Sequence, residues 1–339
     1  MRDLLWMEID LKQIVNNIKD IEKNAKKKVI PVVKSEAYNL GEYVINYLVN
    51  NLNLDYLAVV DFKEATRLSN LNQEILILNS LEKEEYAFLN QYPNLVISIN
   101  RMLDVENLNL TKLNRTVKVH IQVDTGMNRF GFKELSEVNV AINKLKTNPN
   151  VQLEGLYTHF TSKKNAKKQL NRFIKYTSLY NFKMIHLAAS STYKFIDYGN
   201  YVRVGLDVYG INSKMQSLKI SCFPIEIRKI AKGETVGYDE TYKAKKNLKI
   251  ALLPIGYANG FRRSLKGYKI MAKNKLYKTI GNICMNHVFV EIDDDVDLNT
   301  EFIITSKEHP IEKMAKFLKT TPHEILCMFN IKERKYLKD

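Results

Sequence analysis

Cysteine is scarce in this 339-residue chain: Cys222, Cys284 and Cys327 are the only three, and none is close to another. An odd, sparse set provides no disulfide framework and points to a reducing compartment, the cytoplasm. There is no Cys-X-X-Cys pair and no His-rich spacing, so no metal site is expected. No apolar run approaches the ~20 residues needed to cross a bilayer. The stretch Leu4-Leu5-Trp6-Met7 is too short for a signal peptide. A Gly-rich phosphate turn is missing after the first β-like run, which argues against a doubly wound dinucleotide-binding sheet.

Acidic residues are in deficit: 37 Asp and Glu face 52 Lys and Arg, a net charge of +15. Such a surplus raises the question of nucleic-acid binding. The basic runs at 26–28 and 163–168 have no interleaved aromatics and read as solvated helix ends and loops, so neither nucleic acid nor membrane is an expected partner. The surplus still favours anionic ligands.

The apolar share, 45% with 14 Phe and 19 Tyr, is enough to build a sizeable core. Short β-branched runs alternate with helical patterns through the first two thirds. Strands are expected near 29–33, 57–60, 75–78, 95–99, 117–123, 153–158, 184–188 and 201–204. Among the intervening segments, Leu11, Ile14, Val15, Ile18 and Ile21 share one helical face. Eight strands separated by helices in ~200 residues suggest a (β/α)8 TIM barrel. Beyond residue 215 the period changes to two, at 222–230, 248–253, 268–272, 278–280, 288–292 and 302–305, with helical signal again only at 311–317. The expected organisation is a barrel over 1–215 and a mostly β domain over 216–339.

In such a barrel the C-terminal strand ends form the active face. Lys34 follows the first strand, Arg129 the fifth, Tyr157 and His159 the sixth, His186 and Ser190 the seventh; Arg203 lies on the eighth, just before Gly205. Within the fifth strand, Lys118, His120 and Gln122 alternate with Val119, Ile121 and Val123. Period two aims the polar three inward, which suggests a ligand deep in the barrel mouth.

These residues carry a resemblance. Val32-Val33-Lys34-Ser35-Glu36-Ala37-Tyr38 resembles the cofactor-lysine motif of alanine racemases. The stretches Asp124-Thr125-Gly126-Met127-Asn128-Arg129-Phe130-Gly131, Glu154-Gly155-Leu156-Tyr157-Thr158-His159-Phe160 and Arg203-Val204-Gly205-Leu206-Asp207-Val208-Tyr209-Gly210 follow in family order. So do Gly237-Tyr238-Asp239-Glu240, Pro254-Ile255-Gly256-Tyr257-Ala258-Asn259-Gly260 and Gly281-Asn282-Ile283-Cys284-Met285.

The resemblance implies a pyridoxal 5'-phosphate enzyme, a homodimer with shared active sites that interconverts L- and D-alanine with two bases. Lys34 holds the cofactor and serves one face; Tyr238 of the partner chain serves the other. Tyr38, Ser190 and the backbone N–H groups of Gly205 and Leu206 bind the phosphate. Arg203 faces the pyridine nitrogen and His159 bridges Tyr238 and Arg203. Arg129 and the Met285 N–H contact the substrate carboxylate. The chain departs from the family pattern at Gln122, Ala189, Asn286 and Ile331. These departures keep two alternatives in view: a racemase for a larger amino acid such as serine or lysine, and a catalytically impaired cofactor-binding paralogue.

Overall fold

The first strand, β1 (Leu5–Asp10), runs straight into a helix, Leu11–Ala25, where Asp10 accepts a hydrogen bond from the Gln13 N–H at 2.7 Å. A carboxylate in that position satisfies one of the donors that every helix start leaves open. Leu11, Ile14, Val15, Ile18 and Ile21 are all buried, as their shared face predicts. The computed structural model describes residues 2–338 except Asn212 and Lys214. It divides into two compact units, one of residues 15–37 and 41–208, the other of residues 1–14, 38–40 and 209–339.

The first unit contains eight parallel strands: β2 (Lys28–Pro31), β3 (Tyr56–Val59), β4 (Glu74–Ile77), β5 (Leu95–Ile99), β6 (Val117–Gln122), β7 (Val151–Tyr157), β8 (Met184–His186) and β9 (Tyr201–Val204). They pair in the order β2-β9-β8-β7-β6-β5-β4-β3. A bridge from Val32 to Ala58, with the Val33 N–H on Ala58 O at 2.9 Å, joins the two ends into a barrel. Strands such as β3 and β5 are buried at every residue. That is why they read as continuous apolar runs.

The pairing of β6 with β7 is irregular: Val119 faces Leu153, but His120 faces Gly155, so Glu154 has no partner in the ladder. This is a β-bulge, which turns the strand and re-aims the side chain at the extra residue. The expectation of a ligand against the polar layer of β6 is revised for two of its three members. Lys118 pairs with Glu74, and His120 is taken up by Glu154 and His186.

The second unit is built on a nine-stranded sheet. It contains β1, β10 (Leu218–Cys222), β11 (Glu226–Ile230), β14 (Leu248–Leu253), β15 (Lys269–Ala272), β16 (Lys275–Ile280), β17 (Val288–Ile292), β18 (Phe302–Thr305) and β19 (Arg334–Leu337). Their order is β11-β14-β17-β16-β15-β18-β10-β1-β19. The ribbon of β12 (Thr235–Val236) and β13 (Tyr242–Lys243) stands apart from this sheet. The expected single run at 222–230 is two strands. Pro224 lacks an N–H and sits between them; β10 pairs with β1 and β18, while β11 pairs with β14. A helix at Pro322–Met328, with Pro at its first turn, was not apparent from sequence periodicity. Among the described residues no helix is long and apolar enough to cross a membrane, and no group of acidic, His and Cys side chains forms a metal site.

Candidate active site

Lys34 opens a helical segment, Lys34–Asn39, of the wrong hand. Ser35, Glu36, Ala37, Tyr38 and Asn39 have φ of 53°, 53°, 55°, 58° and 68°. For L-residues this conformation costs about 1–2 kcal/mol each, so the surroundings must enforce it. The Ala37 N–H reaches Val33 O at 2.8 Å and the Gly41 N–H reaches Glu36 O at 2.9 Å. Glu64 accepts from the Ser35 N–H at 2.6 Å with one oxygen and from the Val60 N–H at 3.0 Å with the other. Nothing in the composition of this segment reveals its hand.

The loop carrying Arg129 is organised by Asp124. Its carboxylate accepts from the N–H groups of Gly126 and Met127, both at 2.8 Å, and of Asn128 at 2.9 Å. Gly131, at φ +106°, lets the chain return: a Cβ there would lie 2.8 Å from the Asp124 nitrogen. Asp124 and the motif glycine therefore act on the loop, and Arg129 is left exposed at its tip.

Arg203, at the end of β9, is 3% exposed. One terminal nitrogen donates to His186 Nδ1 at 2.5 Å and to His186 O at 2.7 Å. The other donates to Thr158 O at 2.7 Å and approaches His159 Nδ1 at 3.5 Å. Those four hydrogens account for both terminal nitrogens, and of the five guanidinium donors only Nε–H remains. The guanidinium also lies over the Tyr157 ring, 4.8 Å from its centroid, and that ring stacks on His186 at 4.7 Å.

Burial brings the Arg203 pKa down to about 10, so the group remains a cation at neutral pH. His159 goes the other way from a charge: burial first, then the charges of Arg203, Arg129 and Lys34, pull it down to about 3. The ring is neutral, and Arg203 occupies Nδ1 as donor, so its proton sits on Nε2. Ser190 Oγ accepts from the Asp207 N–H at 3.4 Å, which sets the hydroxyl beside the turn Leu206–Tyr209 that follows Gly205.

Tyr238 and Met285 belong to the other unit. Asn282 Nδ2 donates to Tyr238 O at 3.2 Å and to Asp239 Oδ2 at 2.9 Å, tying the Tyr238 turn to the 281–287 loop. Gly256 lets two motifs meet there, since a Cβ would lie 2.3 Å from Cys284 O and 2.4 Å from Met285 O. Tyr238 is 71% exposed and Met285 54%. Tyr38 is buried in the same unit against Tyr209 and His323, and that burial raises its pKa.

Two family models match this chain: the alanine racemase N-terminal domain over residues 9–213 and the alanine racemase C-terminal domain over residues 218–336. The chain belongs to the alanine racemase family. The alanine racemase of Clostridium tetani is 30% identical over 99% of this chain and 96% of its own. That of Methanococcus maripaludis is 29% identical over 96% of both. Among solved structures, alanine racemase from E. faecalis superposes with a TM-score of 0.91 at 24% identity, over 98% of each chain. The Clostridium difficile 630 alanine racemase gives 0.89 at 27%, over 100% of this chain and 97% of its own.

The family depends on pyridoxal phosphate, and the Bartonella henselae alanine racemase holds it covalently. That structure superposes with a TM-score of 0.90 at 22% identity, over 99% of this chain and 100% of its own. The donor set of the present chain suits that group: an amine at Lys34, a hydroxyl at Ser190, backbone N–H groups after β9, and the one remaining N–H of a buried cation at Arg203. Of the departures from the family pattern, Gln122 and Ile331 are buried, and the Ala189 N–H is satisfied by Thr192 Oγ1 at 2.9 Å.

Proposed function

We propose that this chain is a cytoplasmic alanine racemase that acts as a homodimer, with Lys34 and Tyr238 as its two bases. The observation that carries this reading is the Arg203 cluster: a buried guanidinium with one N–H to spare, beside a neutral His159 whose Nε2–H is available. Lys34 would hold pyridoxal phosphate covalently until the substrate's amine takes its place and frees the lysine amine, and Ser190, Tyr38 and the N–H groups of Gly205 and Leu206 would bind its phosphate. Bound there, the cofactor supplies a conjugated electron acceptor that makes the substrate Cα–H acidic. Arg203 donates through Nε–H without giving up its proton, because its pKa is far above neutrality.

Racemisation needs a proton acceptor on each face of Cα. The Lys34 amine takes or returns the proton on one face, and the Tyr238 hydroxyl of the partner chain does so on the other. Tyrosine is a poor base at its free pKa of ~10. In this reading the Nε2–H of His159 donates to the phenolic oxygen and stabilises its ionised form. Arg129 and the Met285 N–H hold the substrate carboxylate. The exposure of Tyr238 and Met285 in the single chain supports their action in trans, and a sparse, odd set of three cysteines suits a reducing compartment.

The test is loss of optical rotation with L-alanine, with serine and lysine run in parallel. It is joined by solvent-deuterium exchange at Cα in Tyr238→Phe. Exchange of L-alanine should fall by ~10²–10⁴, while D-alanine still exchanges through Lys34. Mixing Lys34→Ala chains with Tyr238→Phe chains should restore activity. Wild-type exchange of both enantiomers in a folded, cofactor-loaded Tyr238→Phe protein would overturn the two-base assignment, and faster turnover of serine or lysine the substrate.

A further inference from the structure

Beneath Arg203 runs a chain of buried polar groups that the reaction as outlined does not use. His186 Nε2 lies 2.8 Å from His120 Nδ1, and His120 Nε2 lies 3.4 Å from Glu154 Oε2. The Tyr56 hydroxyl donates to the same oxygen. His120, His186 and Glu154 are each 1% exposed or less.

The direction of every hydrogen bond in this chain follows from its two ends. Arginine can only donate, so His186 Nδ1, which faces Arg203, is an acceptor without a proton. Burial holds His186 and His120 below the ordinary imidazole range, so both rings are neutral and each carries one proton. The His186 proton is therefore on Nε2 and is donated to His120 Nδ1. The His120 proton is then on Nε2 and is donated to Glu154. At the other end, Glu154 is ionised. Its burial works against that, but the hydrogen bonds from His120 and Tyr56 outweigh it. A carboxylate can only accept, so it demands the same tautomer of His120 that Arg203 demands through His186. Were His120 protonated on Nδ1 instead, His186 would have to carry its proton on Nδ1, directly against the Arg203 N–H.

Two features of the backbone serve this arrangement. The bulge in β7 leaves Glu154 out of the ladder, with its carboxylate turned in on Tyr56 and His120. The next residue is Gly155, where a Cβ would lie 2.6 Å from His120 Cγ. Only glycine leaves the ring room.

We propose that Glu154 and His120 are positioning residues for the racemase: the carboxylate sets the tautomer of His120, His120 sets that of His186, and His186 thereby holds Arg203 with a single N–H to offer the cofactor. The inference rests on the proposed function for its catalytic consequence, but the tautomers belong to the protein alone.

The experiment begins with the apoprotein labelled with 15N at its six histidines. Long-range 1H–15N correlations show which ring nitrogen carries the proton, and His120→Gln and His186→Gln supply assignments. Both rings should be neutral and protonated on Nε2. A proton on Nδ1 of either ring overturns the proposal. In the holoenzyme, Glu154→Leu removes the acceptor. His120 should then populate both tautomers and kcat should fall at least about tenfold, since a misplacement of ~1 Å can cost ~10²-fold. KM for alanine should hold within about twofold, because Arg203 does not touch substrate. Glu154→Gln keeps an acceptor oxygen and should retain most of kcat. Should Glu154→Leu not fold, His120→Phe takes its place with the same expected kcat loss. Wild-type kcat in Glu154→Leu or His120→Phe overturns the coupling. A wild type with the expected tautomers that does not racemise alanine overturns the proposed function and not the positioning chain.

Discussion

Replacing Gly155 with alanine adds one methyl group at a place where the cost can be worked out. That carbon would lie 2.6 Å from His120 Cγ and 2.7 Å from Cδ2 and Nδ1. Gly155 does not occupy the left-handed region, so the penalty is steric and not conformational. The ring cannot simply move away, because it is held by His186 at 2.8 Å and Glu154 at 3.4 Å. Overpacking of this kind costs about 1–3 kcal/mol. If the ring shifts far enough to break its bond to His186, a buried N–H loses its acceptor at a further cost of about 1–3 kcal/mol. The stiffer unfolded chain returns about 0.4–1 kcal/mol. With that bond broken the net loss is about 1–6 kcal/mol, to be set against a typical stability of about 5–15 kcal/mol. Urea unfolding of the apoprotein measures it: at a slope of about 3 kcal/mol/M, a 3 kcal/mol loss moves the midpoint down by about 1 M. An unchanged midpoint, with His120 still protonated on Nε2, would refute the reasoning.

Three further outcomes follow from the same structure. Reduction of the cofactor-loaded protein with borohydride and peptide mapping should place the label on Lys34; a label on any other lysine contradicts the assignment. Burial raises Asp207 from its usual 3.8 to about 6, worth about 3 kcal/mol. Stability from this group is fully present below about pH 4 and is lost as pH rises through 6. Asp207→Asn should therefore flatten that slope and be more stable above pH 7, and parallel urea midpoints from pH 4 to 7 in the two proteins would contradict it. His120, His159 and His186 are all depressed by burial, so their contribution is present above pH ~6.5 and is lost as pH falls, by up to about 1.4 kcal/mol per pH unit for each. His159→Gln should make the acid limb of the apoprotein's stability curve shallower, and an unchanged limb would show that this ring is not held neutral.

The eight barrel strands were legible because parallel strands buried on both faces must be written as apolar runs. The strands 248–253, 288–292 and 302–305 were read to their residue, because one buried face imposes period two. The strand 5–10 escaped notice because its reason for existing lies far along the chain: it pairs with 218–222 and 334–337. The strand ends carrying Lys34, His159, Ser190 and Arg203 could be picked out as polar residues following apolar runs. Their surroundings could not. The left-handed turn of Ser35 to Asn39 is written in ordinary residues and is held in part by Glu64, about 30 positions away.

The polar layer of β6 shows the division most clearly. Sequence alone determined that His120 points into the barrel, since alternation is a property of the strand itself. Whether it met a ligand or a protein group was decided only when β7 slipped by one residue at Glu154 and β8 delivered His186. Period two fixes which face a side chain takes; register and bulges, which depend on strands 34 and 66 residues away, decide what it finds there.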